Sequence, residues 1–440
     1  MHIRLLILFV LAYAAAHPAP ASGDSLSSHT GVKTVNLDLS EGTWMSLDVS
    51  PDGKFISFDL LNDIYVMPAS GGKAVAIHQG SVAQRSPQFS ADGQFLTYLS
   101  DESGADNVWV SRVDGSEARQ ITQESHAMIA GPAWAADGKS IAAVKTYSDI
   151  FRVRNSEIHL YNLDGTSDEI IVSPPQSGKD VQEPRFSPDG RYLYYTERIG
   201  GDHYVYMNTG LKNFAINKLD LETGKKRRAI SGFGGASTPQ VSPDGNSVAF
   251  IRRLGAKTVL FVKDLETGYE QPIYDELGRD LHGDYLPQEH YYPSFDWFPD
   301  NRTIAIWAKG KIVRIDTHSA SAEEIPFSLT SRHELQPAIR VKQDLAPEQV
   351  TIRTLRQLAP QPNGQTMLFR AVGKLWKIKM DAPARPARLT TSDAAESDPA
   401  WSPDGQKIVY TNWTDQTGSR LVIRNAATGE ERTIVESRGV

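Results

Sequence analysis

Short stretches in which hydrophobic and polar residues alternate recur along the chain, each just after a turn. Clear examples are residues 55–58, 95–98 and 192–195, which are rich in aromatic and β-branched side chains. Alternation with a period of two predicts β-strands that place one face on a core. A second apolar stretch follows, as at residues 64–67 and 108–110, and ends at another turn. The pattern predicts an all-β chain made of repeated antiparallel units.

The turn before each of these strands is a four-residue motif that reads Ser-Pro-Asp-Gly in its clearest copies. Proline presets φ, aspartate accepts hydrogen bonds from nearby amides, and glycine takes the left-handed conformation. Copies lie about 40 to 63 residues apart, and four strands in roughly 40 residues are typical of a propeller blade. We therefore predict a β-propeller of four-stranded antiparallel blades, with eight repeat motifs and seven or eight blades, over residues 34–440. The motifs begin at residues 50, 90, 135, 187, 242, 298, 361 and 402.

The third position of the motif is aspartate in nearly every copy. Aspartate suits a tight turn, so we predict a structural role for these carboxylates. The alternative is a ring of carboxylates that binds a cation or water near the pore. The residues concerned are Asp52, Asp92, Asp137, Asp189, Asp244, Asp300 and Asp404.

The N-terminus has the features of an export signal. Arg4 precedes an apolar run at residues 5–16, which is too short to span a bilayer, and small residues follow it. We predict a signal peptide at residues 1–21, a flexible segment at 22–33, and a periplasmic or secreted mature protein. The alternative is an uncleaved membrane anchor. Because the sequence has no other long apolar run, we expect no membrane span after signal cleavage.

Composition excludes several classes of function. The formal net charge is −7, which argues against a nucleic-acid partner, because such binding depends on Lys and Arg contacts with phosphates. The chain has no cysteine, so disulfides, cysteine metal sites and thiol nucleophiles are impossible. A basic run at residues 225–228 is expected on an exposed outer strand, with an acidic partner or anionic lipid as the alternative.

We find no catalytic constellation in the sequence: neither Gly-x-Ser-x-Gly nor His-Glu-x-x-His occurs. We therefore predict no catalytic, cofactor-binding or metal-ligating residues and no cofactor. Longer spacings between repeats indicate insertions at 197–213, 275–292 and 328–351, and loops carry function on rigid scaffolds. The densest polar-aromatic loop could hold a metal or a polar ligand, or its aromatic residues could simply cap the core. Its candidate residues are His282, Asp284, Glu289, His290, Tyr291 and Tyr292.

These repeats resemble the WD-repeat-like units of the TolB-like periplasmic propellers. The run at residues 41–68, with further stretches at 100–110 and 260–268, is most similar to exported amidohydrolase-family proteins. In that family a TolB-like propeller precedes a metal-dependent hydrolase domain, so the resemblance implies hydrolysis of C–N bonds with a divalent metal such as zinc. That metal site resembles a His-x-His motif, which is absent here. We therefore expect no hydrolase domain in this chain.

Two functions remain open on the sequence. The first is an exported, non-catalytic scaffold that binds a protein or a ligand. The second is the N-terminal, substrate-gating propeller of a truncated amidohydrolase, whose partner would be the fused hydrolase domain.

Overall fold

The computed structural model describes residues 33–148, 154–164, 166–174, 180–200, 213–282, 290–335, 344, 347–381 and 385–437. In this part of the chain the regular elements are all strands. No helix among these residues has the length and apolar character needed to cross a membrane. Asp284 and Glu289, and the segment 1–32 with its predicted signal peptide, lie outside the described residues.

The first half of the chain contributes an N-terminal strand and four sheets. The N-terminal strand is β1 (Lys33–Leu39), and the first sheet has β2 (Leu47–Val49), β3 (Phe55–Leu60), β4 (Asp63–Pro68) and β6 (Val75–His78), with the short β5 (Gly72–Lys73) beside it. The second sheet has β7 (Gln84–Phe89), β8 (Phe95–Ser100), β9 (Asn107–Arg112) and β10 (Arg119–Gln120). The third has β11 (Met128–Trp134), β12 (Ser140–Ser148), β13 (Arg154–Asn162) and β14 (Asp168–Val172). The fourth has β15 (Val181–Phe186), β16 (Tyr192–Arg198), β17 (Phe214–Asp220) and β18 (Lys226–Ile230).

The second half contributes four more sheets and a connecting strand. The fifth sheet has β19 (Ser237–Val241), β20 (Ser247–Leu254), β21 (Lys257–Asp264) and β22 (Glu270–Tyr274). The sixth has β23 (Asp296–Trp297), β24 (Thr303–Ala308), β25 (Lys311–Asp316) and β26 (Ala322–Glu324), followed by the strand β27 (Phe327–Leu335). The seventh has β28 (Arg356–Pro360), β29 (Thr366–Ala371), β30 (Lys374–Lys379) and β31 (Ala387–Arg388). The eighth has β32 (Ala395–Trp401), β33 (Lys407–Thr414), β34 (Gly418–Asn425) and β35 (Glu431–Ser437).

The described residues thus contain eight four-stranded antiparallel sheets, one for each turn motif, and the all-β propeller prediction is confirmed. The turns have the predicted local chemistry. In the first copy Ser50 Oγ donates to Asp52 Oδ1 (2.7 Å), which also accepts from Lys54 N (3.1 Å), and Gly53 has φ +70°. The Lys54 side chain is the main reason why the pKa of Asp52 falls to about 2.

Six of these sheets form a closed ring, which we call blades 1 to 6. Consecutive blades pack through their innermost strands, and β2 of blade 1 contacts both β23 and β24 of blade 6. The closing seam has two backbone contacts: Leu47 N donates to Ser294 O (3.0 Å), and Val49 N donates to the Asp296 carboxylate (3.4 Å). A continuous apolar core crosses this seam, from Met45 and Phe58 to Trp297 and Ile306.

The closure at six differs from the single ring of seven or eight blades expected over residues 34–440. After blade 6 the chain runs through β27, which pairs antiparallel with β1 along its length, from Lys33 opposite Leu335 to Leu39 opposite Leu329. This pairing ties together the two ends of the ring segment. Sheets 7 and 8 pack against each other beyond it, with Leu368 and Leu375 of sheet 7 in one core with Ile408 and Tyr410 of sheet 8.

The turns of neighbouring blades also touch around the ring. A Cβ added to Gly93 would lie 3.4 Å from Pro51, and a Cβ added to Gly53 would lie 2.9 Å from Pro299 of blade 6. Gly138 has the same left-handed backbone, with φ +65°, but nothing lies within 4 Å of its Cβ position. A substitution at Gly53 or Gly138 would strain the backbone, but only one at Gly53 would also crowd the seam. Comparing the two sites therefore distinguishes these effects.

We predict that Gly53→Ala lowers the free energy of unfolding more than Gly138→Ala does. Both changes force a residue with a Cβ into a left-handed conformation, at about 1–2 kcal/mol. Only Gly53→Ala also pushes against the blade 6 turn. Chemical denaturation followed by circular dichroism measures both. Equal losses would show that the two turns do not press together at the seam.

Candidate functional site: the central channel and its plug

The innermost strands place one set of equivalent side chains around the centre of the ring. Each lies two residues before the first residue of its turn motif, on the strand nearest the axis. Three of them are ionisable: Asp48 of blade 1, Arg185 of blade 4 and Asp296 of blade 6. Both carboxyl groups act electrostatically on Arg185 and oppose the lowering of its pKa by burial. The full set is Asp48, Gln88, Ala133, Arg185, Gln240 and Asp296.

Several of these side chains also hold the next blade in place. Asp48 Oδ2 accepts from Phe89 N of blade 2 (2.8 Å), and Gln88 Oε1 accepts from Trp134 N of blade 3 (2.9 Å). Asp296 makes the same contact from blade 6 to blade 1, since it accepts from Val49 N. The channel side chains therefore satisfy backbone groups that the ladder of each blade leaves free.

The two channel carboxyl groups strongly perturb each other. Burial, followed by repulsion from Asp296, holds the pKa of Asp48 well above its usual value. Burial also raises the pKa of Asp296, to about 6. Burial lowers the pKa of Arg185, while the two carboxyl groups oppose that change. Arg185 Nε donates to Gln240 Oε1 (3.2 Å), and another guanidinium N–H donates to Pro184 O (2.8 Å).

The candidate loop between blades 5 and 6 contributes a plug, which we define as residues 280–282 and 290–292. Four of the six candidate residues lie there: His282, His290, Tyr291 and Tyr292, all buried. Leu281 N donates to Tyr291 O (2.8 Å), which joins the two parts of the plug. The structure does not describe the other two candidates, Asp284 and Glu289.

The plug crosses the mouth of the channel. His290 Nε2 shares a hydrogen bond with Ser86 Oγ of blade 2 (3.3 Å), and its ring lies 3.5 Å from the Cβ position of Gly131 in blade 3. Tyr291 N donates to Glu183 of blade 4 (2.7 Å). His282 Nε2 shares a hydrogen bond with Ser237 Oγ of blade 5 (2.7 Å). One short loop therefore contacts four blades on different sides of the axis.

An ion pair beneath the plug supports its first part. Arg253 donates Nε to the Asp280 carboxylate (3.0 Å), and Thr258 Oγ1 donates to the same group (2.7 Å). Burial alone would raise the pKa of Asp280, but His282 and Arg253 hold it below its usual value. His282 stacks on Phe214 of blade 4, with ring centres 4.7 Å apart. These contacts fit the interpretation in which the loop caps the core.

Glu183 is the residue that ties the plug to the ring. It is 1% exposed, and its carboxylate accepts four hydrogen bonds, from Tyr291 N (2.7 Å), Thr238 N (2.7 Å), Thr238 Oγ1 (2.9 Å) and Thr196 Oγ1 (2.6 Å). Burial raises its pKa, although these hydrogen bonds oppose the rise. Glu183 therefore joins blades 4 and 5 and the plug through one group.

Sequence reasoning did not single out Glu183. A signal was available, because Glu183 directly precedes Pro184, and the same position before proline is Ser86, Gly131 and Thr238 in other blades. All four have positive φ, between 54° and 59°. A residue before proline normally adopts an extended backbone conformation. These four residues do not, and each lies where the pairing of its strand shifts register at a β-bulge.

A cavity of about 640 Å³, which we call the funnel, opens beside the plug. Trp44 and Leu281 give it apolar surface, and Asp59, Arg85 and His290 give it polar surface. The full lining is Thr43, Trp44, Ser46, Asp59, Leu60, Leu61, Asn62, Arg85, Leu281 and His290.

Most polar groups of the funnel that we describe already have hydrogen-bond or ion-pair partners. Asp59 accepts from Ser46 N (2.9 Å) and Ser86 N (2.7 Å), and Arg85 pairs with Asp106 (3.0 Å). His290 is 2% exposed, and its buried Nδ1 has no hydrogen-bond partner among the described residues. Burial, with a contribution from Arg185, lowers the pKa of His290 to about 3, so the ring is neutral at physiological pH.

Neither the loop nor the turn aspartates form a metal cluster among the described residues, where no group of three or more His, Asp or Glu side chains converges. The basic run at 225–228 continues into β18, whose first three residues are exposed on the outer strand of blade 4. Asp92, Asp189, Asp244 and Asp404 each accept from the serine two residues earlier, as Asp52 does. Asp137 and Asp300 accept from backbone amides two residues later, at 2.8 and 2.9 Å.

Comparison with known proteins agrees with this architecture. The model of the TolB beta propeller domain matches residues 30–210. The fold is a β-propeller, and residues 30–210 are similar to the TolB propeller domain. The resemblance to amidohydrolase propellers gains no support from these comparisons and stays a prediction.

Several curated proteins are similar over parts of the chain. They include an uncharacterized protein of Agrobacterium fabrum (28% identical over 153 residues, 33% of this chain and 52% of that protein). The Tricorn protease homolog 1 of Streptomyces coelicolor is 30% identical over 155 residues, which are 34% of this chain and 14% of that protein. An uncharacterized peptidase of Bacillus subtilis is 24% identical over 167 residues, 31% of this chain and 25% of that protein. The chain thus spans about half or less of the length of these relatives.

Among solved structures, TolB from Acinetobacter baumannii aligns with a TM-score of 0.48 and 17% sequence identity. The alignment covers 66% of this chain and 65% of that one.

We predict that Glu183→Gln lowers the free energy of unfolding by about 1–3 kcal/mol, the usual cost of an unsatisfied buried donor. The two carboxylate oxygens accept from different backbone amides, those of Tyr291 and Thr238. Glutamine has one acceptor oxygen, so one amide must face an NH₂ group. Glu222→Gln, at a side chain 70% exposed, is the matched control and should change stability by less than about 0.5 kcal/mol. Equal stability of the two variants in urea would contradict the assignment.

We predict that the channel carboxyl groups make the protein less stable as pH rises. The folded state binds the Asp296 proton more tightly than the unfolded chain, since the pKa rises from 3.8 to about 6. Its contribution is therefore complete below about pH 4 and is lost as pH rises through about 6. Asp296→Asn keeps an acceptor for Val49 N without the charge, so it should flatten this fall by up to about 1.4 kcal/mol per pH unit. Urea titrations between pH 4 and 7 measure the slope, and a slope equal to that of the wild type would refute the assignment.

Proposed function

We propose that this chain is an exported, non-catalytic propeller scaffold that binds a protein partner at the funnel. The observation that carries the proposal is the funnel itself, a cavity of about 640 Å³ with aromatic, apolar and charged residues in its lining. Export rests on the predicted signal peptide at residues 1–21. The absence of a catalytic motif in the sequence supports a binding role.

The shape of the site favours a ligand that enters from one side. The plug crosses the channel mouth and contacts blades 2 to 5, so the described structure offers a recess beside the plug rather than a free passage. A rigid ring with variable loops at its face is a good platform for recognition. The exposed Leu61 lies at the rim, where an incoming chain would make its first contacts.

The chemistry of the lining suits a short peptide segment. Trp44 offers an aromatic surface, and its ring is already fixed by Tyr292 and Trp307, with ring centres about 6 Å away. Large aromatic residues and arginine commonly dominate protein interfaces. Asp59 and Arg85 give polar surface beside it. A segment with one apolar side chain beside its polar backbone would match these groups.

A second candidate function is that of a substrate-gating propeller for a hydrolase domain of the same protein, with a divalent metal such as zinc in that domain. Two relatives are named as a protease homolog and a peptidase, and the matched segments are only 14% and 25% of those proteins. The resemblance of residues 41–68 to amidohydrolase propellers points the same way. In that case the funnel would bind the substrate or the hydrolase domain.

We predict that a photo-crosslinking amino acid at Leu61 captures a specific partner in the cell envelope. Ile170 is the matched control, because it is equally exposed (52% against 47%) but lies on the outer strand of blade 3. The crosslink at position 61 should disappear when Trp44→Ala is added. Identical products from positions 61 and 170, or none at 61, would count against binding at the funnel.

A further inference from the structure

The outer strand of blade 4 differs in charge from the outer strands of its two neighbours. β18 begins with the sequence Lys-Arg-Arg, whereas β14 of blade 3 begins with Asp-Glu and β22 of blade 5 begins with Glu-Gln. Together with Lys225 before it, β18 contains the longest run of cations in a chain whose formal net charge is −7. No ion pair between described residues involves the side chains of this run, residues 225–228. The run is therefore a concentrated positive patch on an otherwise acidic protein.

A further cation faces this patch from the middle of the sheet. Lys218 of β17 lies directly opposite Arg227 of β18. At the equivalent position of blade 6, Arg314 lies opposite Glu323. Like charges in directly opposed positions destabilise a sheet, so the pair in blade 4 costs stability unless an anion lies between the two side chains. A charged edge strand prevents edge-to-edge pairing, but that role does not require a cation at Lys218.

The opposed cations line a cavity of about 200 Å³ at the end of blade 4 where β17 turns into β18. Lys218 Nζ lies 3.5 Å from the centre of the Tyr192 ring, and this cation–π contact holds the ammonium group at the cavity wall. Burial is the main reason why the pKa of Lys218 falls, and Arg191 and Arg227 lower it further, although Asp189 opposes the change. The full lining is Arg191, Tyr192, Lys218, Asp220, Lys225 and Arg227.

The carboxylate in this lining is already engaged. Asp220 accepts from two backbone amides of the turn that follows it, at 3.0 and 3.1 Å, and from the Arg191 guanidinium (3.1 Å). Asp220 therefore balances the charge of Arg191 and holds it at the cavity wall. Lys218, Lys225 and Arg227 have no ion-pair partner within the part of the chain that the structure describes. The cavity thus keeps an excess of positive charge.

We propose that this cavity binds a phosphate group, whose oxygens contact Lys218, Lys225 and Arg227. A phosphate group offers up to two negative charges and several acceptor oxygens, and both lysine and arginine bind phosphate in proteins. The cavity is smaller than the roughly 300–1,000 Å³ of sites for drug-sized ligands, so it suits one small group. A phosphate between Lys218 and Arg227 would replace a repulsive pair with two attractive contacts.

The phosphate site is separate from the funnel. Phe214, at the opposite end of β17 from the cavity, stacks on His282 of the plug. None of the residues that line the cavity also lines the funnel. The proposal therefore does not depend on the function proposed for the funnel.

Isothermal titration calorimetry of the full chain with sodium phosphate tests the site. We expect saturable binding of one phosphate per chain. Lys225→Gln combined with Arg227→Gln removes two cations of the lining and should weaken binding by at least about tenfold. The matched control is Lys226→Gln with Arg228→Gln, which removes the same charge from the same exposed run but outside the cavity. The control should bind phosphate about as tightly as the wild type.

Vesicles distinguish the two sources of a phosphate group, a free ion and a lipid headgroup. Phosphatidylcholine vesicles that contain phosphatidic acid present a phosphate monoester, and flotation measures whether the chain binds them. Binding of inorganic phosphate alone would assign a free phosphate, and binding of these vesicles alone would assign a headgroup. Either result supports the proposal when the Lys225/Arg227 variant loses binding and the Lys226/Arg228 control keeps it. Equal losses in the two variants, or no binding of either probe by the wild type, would overturn it.

Discussion

The structure depends on one constraint: the backbone N–H groups that the innermost strands turn out of their ladders must find acceptors in a neighbouring part of the ring. Asp48 and Gln88 supply them to the next blade along the chain, and Asp296 supplies one to blade 1. Each of these three contacts points from one blade to the next, and that of Asp296 can form only where the last blade meets the first. Hydrogen bonds at the seam and the apolar core between blades 1 and 6 therefore both stabilise the closed ring.

The same constraint explains why charged groups are buried at the centre of the ring. Carboxylates are strong acceptors that can serve two or more donors at once, and Asp59 and Glu183 each do so. The cost is desolvation, which raises the pKa values of Asp48, Glu183 and Asp296. The plug binds to the ring in the same way, since Tyr291 N donates to the Glu183 carboxylate, which also accepts from blades 4 and 5. These shared acceptors join Asp59 of the funnel to blades 1 and 2, and join the plug to blades 4 and 5.

Local chemistry made much of the fold predictable from the sequence. The Ser-Pro-Asp-Gly turns and the alternating strands after them are determined by residues a few positions apart in the sequence. The eight sheets could therefore be predicted from the sequence alone. The ring size could not, because it depends on whether β27 pairs with β1 and on which blade covers Leu47. The candidate loop was found from its composition, yet the reach of His290 to Ser86, 204 positions away, is a consequence of the closed ring. Glu183 was missed because a buried carboxylate looks like a surface residue until its donors are known.

Hydrogen exchange followed by mass spectrometry at the closing seam tests the central claim, the closure of the ring between blades 1 and 6, most directly. If the ring is closed, the amides of Leu47 and Val49 are bonded to blade 6 and exchange as slowly as those of Phe89 and Trp134 inside the ring. The innermost strand of sheet 7, Arg356–Pro360, is mostly exposed and should exchange much faster. Exchange at Leu47 and Val49 as fast as in Arg356–Pro360 would contradict the account, because it would show that the ring is open at this seam.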